Sequence, residues 1–390
     1  MAKEKRKRKV NLTGVIIPLA CGAVIGIMIA FGIPDDLSFM DYVIQLLVGI
    51  ALILAAFYIQ LIIHEGGHLL AGLMTGYHFS SFRIGSLMLL KNHEGYSFKK
   101  FSLAGTGGQC LMIPPDRKPD GTYPYKIYHI GGILLNIITA VMFFAAYLFI
   151  LPENIIGDFS LYLAVTGVIC ALINGIPMHT SGITTDGYNA LHIGNEPFAL
   201  DAMWLQLKIN GAQTEGRRLK DLPEEWFTIP EEASKRNEII TTIACFSENR
   251  AMDGHDFDKA KEWIDKLVFG KEYTILGIYK NLLIFDKVTI ELMEKGVNAD
   301  TSLLNTKEMK AFRRAMSKFP GVIRTEYAIS LLKDKNTEAA TKYKNLFNKV
   351  ALKYPTKSDI EFETEMLECI DKCAADSNIH EKVSENTYVK

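Results

Sequence analysis

The sequence lacks a cysteine framework. Its six cysteines, at 21, 110, 170, 245, 369 and 373, are scattered, and no CxxC pair occurs. That excludes a disulfide scaffold and a cysteine-based zinc site. Cys369 and Cys373, one helical turn apart, read as ordinary helix positions. Net charge is missing as well: 43 Lys and Arg stand against 44 Asp and Glu, a formal charge of −1. Such a balance excludes the basic surface of a nucleic-acid binder. No long apolar run follows Gly194, and no PDZ-like insert is visible. The part after Gly194 carries 30 basic and 33 acidic residues, so it offers no basic face to anionic lipid either.

What is present lies mostly before Gly194. Residues 13–33, 43–75, 127–151 and 159–178 are long and apolar enough to cross the roughly 30 Å hydrocarbon core of a bilayer. The first follows a basic opening, "MAKEKRKRKV", as a signal peptide would. It is too long for a signal sequence and has no clear small-x-small cleavage site, so it reads as a retained span. Loop charges alternate. The arm 1–12 and the loop 76–126 are rich in Lys and Arg; the link near Asp35, Asp36 and Asp41 and the link near Glu153 and Asp158 are acidic. The positive-inside rule then expects both termini in the cytosol. The predicted organisation is a basic arm (1–12), a membrane domain (13–194) and a cytosolic helical domain (195–390). The predicted fold class is an α-helical membrane protein with about four transmembrane helices, a cytosolic β-hairpin in loop 76–126 and an all-α soluble domain. In that loop "HFSSFRIGSLMLL" and "YSFKKFSLAG" flank the turn signal "KNHEG", while "GTGGQCLMIPP" reads as an irregular segment that dips into the membrane. In the soluble part, "MDGHDFDKAKEWIDKLV" and "LLKDKNTEAATKYKNLFNKVALKYP" each place a polar turn before an amphipathic helix, loosely like tetratricopeptide hairpins.

One stretch of the second span, "LIIHEGGHLL" (61–70), breaks the apolar pattern. Ionisable groups inside a bilayer are costly and usually functional. His64 and His68 stand at i and i+4 and share a helix face. Glu65 lies about 100° round the helix from His64. H-E-x-x-H has the parts of a zinc hydrolase: two imidazole ligands and a carboxylate general base. A third protein ligand is needed at the same depth. Span four ends in "NGIPMHTSGITTDGYNA", which supplies Asp186, with His179 as the rival. Gly66, Gly67 and Gly72 are expected to let helices approach closely.

On these residues the chain resembles the site-2 protease type of intramembrane zinc metallopeptidases, peptidase family M50. The resemblance rests on "HEGGH", on "GILLN" (132–136) and on "NGIP…DG", and covers roughly residues 43–190. Ile133 stands where the family prefers proline, and twelve positions separate Asn174 from Asp186. The resemblance implies zinc held by His64, His68 and Asp186, with Glu65 as catalytic base. It implies that Asn136 and Asn174 orient the substrate or polarise the scissile carbonyl. It also implies that the inner hairpin takes an unwound substrate as an extra strand. The expected partners are the bilayer, a transmembrane or membrane-bound protein substrate, and a protein ligand of the helical domain; nucleic acid is not expected. Two alternatives stand beside this reading: a CAAX-type membrane zinc protease, and a non-catalytic scaffold or receptor acting through the helical domain.

Overall fold

The computed structural model describes residues 37–101, 107–149, 154–180 and 183–387, together with 22, 23 and 26. Three helices among them are long and apolar enough to span a membrane: α1 (Phe39–Met74), α2 (Tyr125–Phe149) and α3 (Ile155–Gly175). They match the second, third and fourth expected spans within a few residues. The basic arm and all but those three residues of the expected span 13–33 lie outside the described residues. The 36 residues of α1 extend about 54 Å, well beyond the hydrocarbon thickness. Its outward side chains, among them Leu47, Leu54 and Phe57, are exposed and apolar, as a lipid-facing surface requires. Local signals start the helices. Ser38 Oγ accepts from the Asp41 amide, and Asn154 Oδ1 accepts from the Ile156 and Gly157 amides.

The two compact units divide the chain unevenly. One holds residues 1–84 and 105–196; the other holds 85–104 and 197–390. In the first, α1 and α2 meet backbone to backbone. A Cβ on Gly67 would stand 2.3 Å from the Gly131 carbonyl oxygen, and one on Gly131 would stand 2.4 Å from that of Gly67. Gly72 is packed as well, against Met112, but Gly66 faces open space with nothing within 4 Å. Of the three glycines expected at a helix contact, only Gly67 is at one: Gly72 meets the strand residue Met112, and Gly66 lies one residue, about 100°, away from the contact face. The same unit pairs β1 (His78–Ile84) antiparallel with β4 (Gly108–Ile113), from His78 opposite Ile113 to Ile84 opposite Gly108. Residues 108–113 were expected as an irregular, dipping segment. They form a strand with Cys110 and Met112 both buried, a two-residue period that the flanking glycines and prolines obscure.

In the second unit β2 (Leu87–Asn92) and β3 (Gly95–Lys100) form a hairpin. Asn92 Oδ1 accepts from the Glu94 amide, and Gly95 takes a positive φ of 111°. The hairpin belongs with the helices that follow residue 197, a grouping the sequence did not suggest. Glu94 pairs with Lys357 at 3.7 Å, and the Phe101 ring meets Tyr354 edge-on at 5.6 Å. Eight α-helices among the described residues build the rest: α4 is reserved for the short Asp186–His192 helix of the first unit, and α5 (Pro197–Thr214) to α12 (Lys357–Thr387) follow in chain order. They include α6 (Glu238–Asp253), α8 (Gly277–Lys295), α10 (Pro320–Ala328) and α11 (Thr337–Ala351). Both amphipathic segments picked out in the sequence are helices with the same start. His255 and Lys335 adopt φ of 57° and 52°, and the next residue, Asp256 or Asn336, caps the helix through its side-chain oxygen. Ile264, Phe285, Val288, Leu292, Ala328 and Ile370 share one core.

The glycine contact gives a paired test. Gly67→Ala must separate α1 from α2, and overpacking of this kind costs about 1–3 kcal/mol. Gly66→Ala meets nothing and gains helix propensity of up to about 1 kcal/mol. Thermal unfolding in detergent is expected to show a lower midpoint for Gly67→Ala and an unchanged or higher one for Gly66→Ala. Equal midpoints would refute the close crossing.

Candidate metal centre

α1 carries Gln60, His64 and His68 at successive turns of one face. The two imidazoles meet edge-on, with ring centroids 4.8 Å apart and Nε2 atoms 3.2 Å apart. Asp186 opens the short helix α4 just beyond the end of α3. Thr185 is the cap: its hydroxyl accepts from the Tyr188 amide and donates to the Ile176 carbonyl. Gly187 lies on the last turn of α3, where a Cβ would stand 1.9 Å from the Gly175 carbonyl oxygen. This contact explains the glycine after the aspartate, since any side chain would push α4 off α3.

So placed, Asp186 Oδ2 is 3.1 Å from His64 Nε2 and 3.3 Å from His68 Nε2. The three atoms form a nearly equilateral triangle. Tetrahedral zinc holds nitrogen and oxygen ligands at about 2.0–2.1 Å, which sets neighbouring ligand atoms about 3.3–3.4 Å apart. The donor set and its spacing therefore fit zinc, with the fourth position left for water or substrate.

A chain of hydrogen bonds fixes which nitrogen of His64 is free. The Leu163 carbonyl on α3 can only accept, so Gln60 presents Nε2 to it, at 2.9 Å. Gln60 Oε1 then faces α2 and accepts from Asn136 Nδ2 at 2.8 Å. That turns Asn136 Oδ1 toward His64, whose Nδ1–H donates to it at 2.7 Å. The Nε2 lone pair is left for a metal. His68 is fixed the same way: its Nδ1–H donates to the Tyr128 carbonyl at 2.8 Å. His129 Nδ1 lies 3.4 Å from Asp186 Oδ1, the oxygen not turned to the triangle. Gln60 and Asn136 are fully buried, so these bonds form away from water.

Glu65 sits beside the triangle and is held by β4. The Cys110 amide donates to its carboxylate, and a Cβ on Gly108 would stand 2.7 Å from Oε1. A side chain at 108 would displace the Glu65 carboxylate from this position.

The structure thus brings together His64, Glu65, His68 and Asp186. It places Asn136 beside them, with its amide oxygen bonded to His64 and its amide nitrogen to Gln60. Asn174 donates to the Cys170 carbonyl of its own helix, and no contact among the described residues joins it to the triangle. His179, the rival third ligand, is exposed and stacks on Tyr188 at 5.5 Å. Gln60 and His129 escaped the sequence reading. Gln60 had a usable signal, since 60, 64 and 68 make a polar stripe at helical spacing in an apolar helix. His129 had none.

The family model of peptidase family M50 matches residues 52–363, which include every residue of this site. The chain belongs to peptidase family M50. No curated protein and no solved structure matches it. Membership, the three spanning helices and the donor triangle together make it a membrane metallopeptidase of a zinc-dependent family.

Purified M50 protein is expected to contain about one zinc per chain, and His64→Ala with His68→Ala to remove it. Gln60→Leu removes the side-chain bonds to the Leu163 carbonyl and the Asn136 amide, leaving the amide with the Gln60 backbone carbonyl alone. Loss of such outer-shell bonds typically costs 10–100-fold in metal affinity, readable by competition with a chelator. Unchanged affinity in Gln60→Leu would show that the Gln60 side chain is not needed to hold Asn136 and His64 in place.

Proposed function

We propose that this M50 peptidase is an intramembrane protease that hydrolyses a peptide bond of membrane-embedded or membrane-associated proteins, with its active cavity and both termini on the cytosolic side. The observation that carries the reading is the donor triangle with Glu65 beside it, built on a helix long and apolar enough to span the bilayer. Bound there, zinc would polarise the scissile carbonyl and lower the pKa of its water towards about 7. Glu65, beside this site, would accept the proton of the attacking water and return it to the leaving amine. The Cys110 amide holds the carboxylate in place for both transfers.

A transmembrane helix hides its peptide bonds, so the substrate must be extended locally. β4 is paired on one side with β1 and runs past Glu65. Its other edge is where the unwound segment adds as a further strand, with backbone hydrogen bonds supplying the affinity. Asn174, at the end of α3, keeps the substrate-orienting role that the family resemblance implies. Asn136 acts instead through His64. The helical unit recruits or selects the substrate and contributes no group to the chemistry.

Glu65→Gln in proteoliposomes, with a single-span substrate, tests the base. It is expected to keep zinc and to lose at least about 10²-fold in cleavage rate, the usual contribution of a general base. Wild-type cleavage by a zinc-loaded Glu65→Gln protein would exclude Glu65 from this role.

A further inference from the structure

The helical unit encloses a cavity of about 450 Å³ that the peptidase chemistry does not use. Its size falls in the range of ligand sites, and its walls are mainly apolar and aromatic, with Phe246, Leu282, Phe319 and Phe362 among them. Its charges do not balance. Four carboxylates, of Asp253, Asp286, Asp359 and Glu363, line it with two guanidiniums, of Arg218 and Arg324. Both guanidiniums are committed. Arg218 pairs with Asp253 and, through two parallel bonds of 2.8 and 2.9 Å, with Glu365 outside the cavity. Arg324 pairs with Asp286 and Glu363.

Asp359 forms no ion pair of its own among the described residues, and the committed Arg218 acts on it only at longer range. Its Oδ1 accepts from the Gln213 amide at 2.9 Å. Behind the wall Glu248 is fully buried, and neither carboxylate oxygen has a hydrogen-bond partner. It lies within electrostatic range of Asp286 and Arg324, which line the cavity. A buried anion without a partner is costly unless something neutralises it. Burial, reinforced by the Asp253 charge, pushes Asp359 up to about 7, and burial pushes Glu363 up to about 7. The cavity thus holds acids that keep part of their protons near neutral pH and that a cation seated beside them would draw into the charged form.

Its neutral polar groups narrow the ligand class. The amides of Asn210 and Asn249 line the space with no bond to any described residue. Arg324 Nε is buried and also lacks an acceptor. Carboxamides that offer a donor and an acceptor together suit a peptide backbone. Apolar walls suit the stem of a long side chain.

We propose that this cavity binds an extended peptide through a Lys or Arg side chain, whose cation offsets Asp359 and Glu248 while Asn210 and Asn249 hold its backbone. Under the intramembrane reading above, the peptide is the cytosolic flank of the substrate, because the inner flanks of membrane spans are enriched in Lys and Arg.

The experiment uses the full chain carrying Glu65→Gln in nanodiscs, so binding is read without cleavage. The probe is a fluorescent decapeptide of Lys, Arg, Leu and Phe, compared by anisotropy with its Glu-substituted counterpart. The cationic peptide is expected to bind at least tenfold more tightly. Asp359→Asn combined with Glu248→Gln is expected to lose at least tenfold, and Glu338→Gln, at an exposed acid on α11, to lose nothing. Should the double variant fail to fold, Asn249→Trp fills the space and must likewise abolish binding. Equal binding of the two peptides, no binding by the parent protein, or full binding by a folded cavity variant each overturns the proposal. Binding by a protein that cleaves no substrate with Glu65 restored would leave this site standing and sink the protease reading alone.

Discussion

A buried polar atom has no water to fall back on, and this constraint shapes the whole candidate metal centre. Gln60, Asn136, His64 and His68 each hand their hydrogen bonds to another protein group, and the sequence ends on backbone carbonyls that can only accept. The ordering of donors and acceptors leaves one free lone pair on each imidazole, both turned to Asp186. Solvation and metal binding are thus solved by one network. A network that must be complete is also unforgiving, since one lost partner leaves a buried polar atom unpaid for in a medium of low dielectric.

Close helix approach follows from the same demand. The relay spans α1, α2 and α3, and hydrogen bonds of about 2.8–2.9 Å need the helices nearly in backbone contact. Gly67 and Gly131 permit the crossing of α1 and α2, and Gly132 clears the two imidazole rings, 2.7 Å from where its Cβ would lie. Gly187 does the same for α4 on α3. Small residues here set distances, and the distances set the chemistry. Gly108 extends the pattern to the strand beside Glu65, so that the base, its amide partner on Cys110 and a strand edge occupy one place.

The helical unit treats charge differently. Arg218 and Arg324 each gather two carboxylates, joining α6, α8, α10 and α12 with the segment that follows α5. Glu365, bonded twice by Arg218, is held down at about 2. These pairs fix how the helices meet, yet they leave Asp359 and Glu248 without an ion pair of their own. Retaining unpaired buried acids costs stability, which argues for a role in recognition.

Much of this protein was legible in its sequence. Spans show as apolar runs because lipid excludes everything else, and α1, α2 and α3 stand within a few residues of where those runs lie. His64, Glu65 and His68 were readable because the α-helix converts a four-residue interval into a shared face. Asp186 was readable from position, since the apolar run before it ends beside it, as the run of α1 ends a few residues beyond the histidines. The tertiary structure decided the rest. Asn136 carries no mark that it bonds a histidine; that depends on Gln60, 76 residues earlier, and on a carbonyl of a third helix. Asp186 prevails over His179 because Gly187 seats α4 on Gly175, a contact between backbones that no side-chain pattern encodes. The hairpin at 85–104 joins the helical unit, and β4 joins β1, through contacts distant along the chain. Local spacing determines which face a residue occupies, but which residue meets it there depends on how separate elements pack.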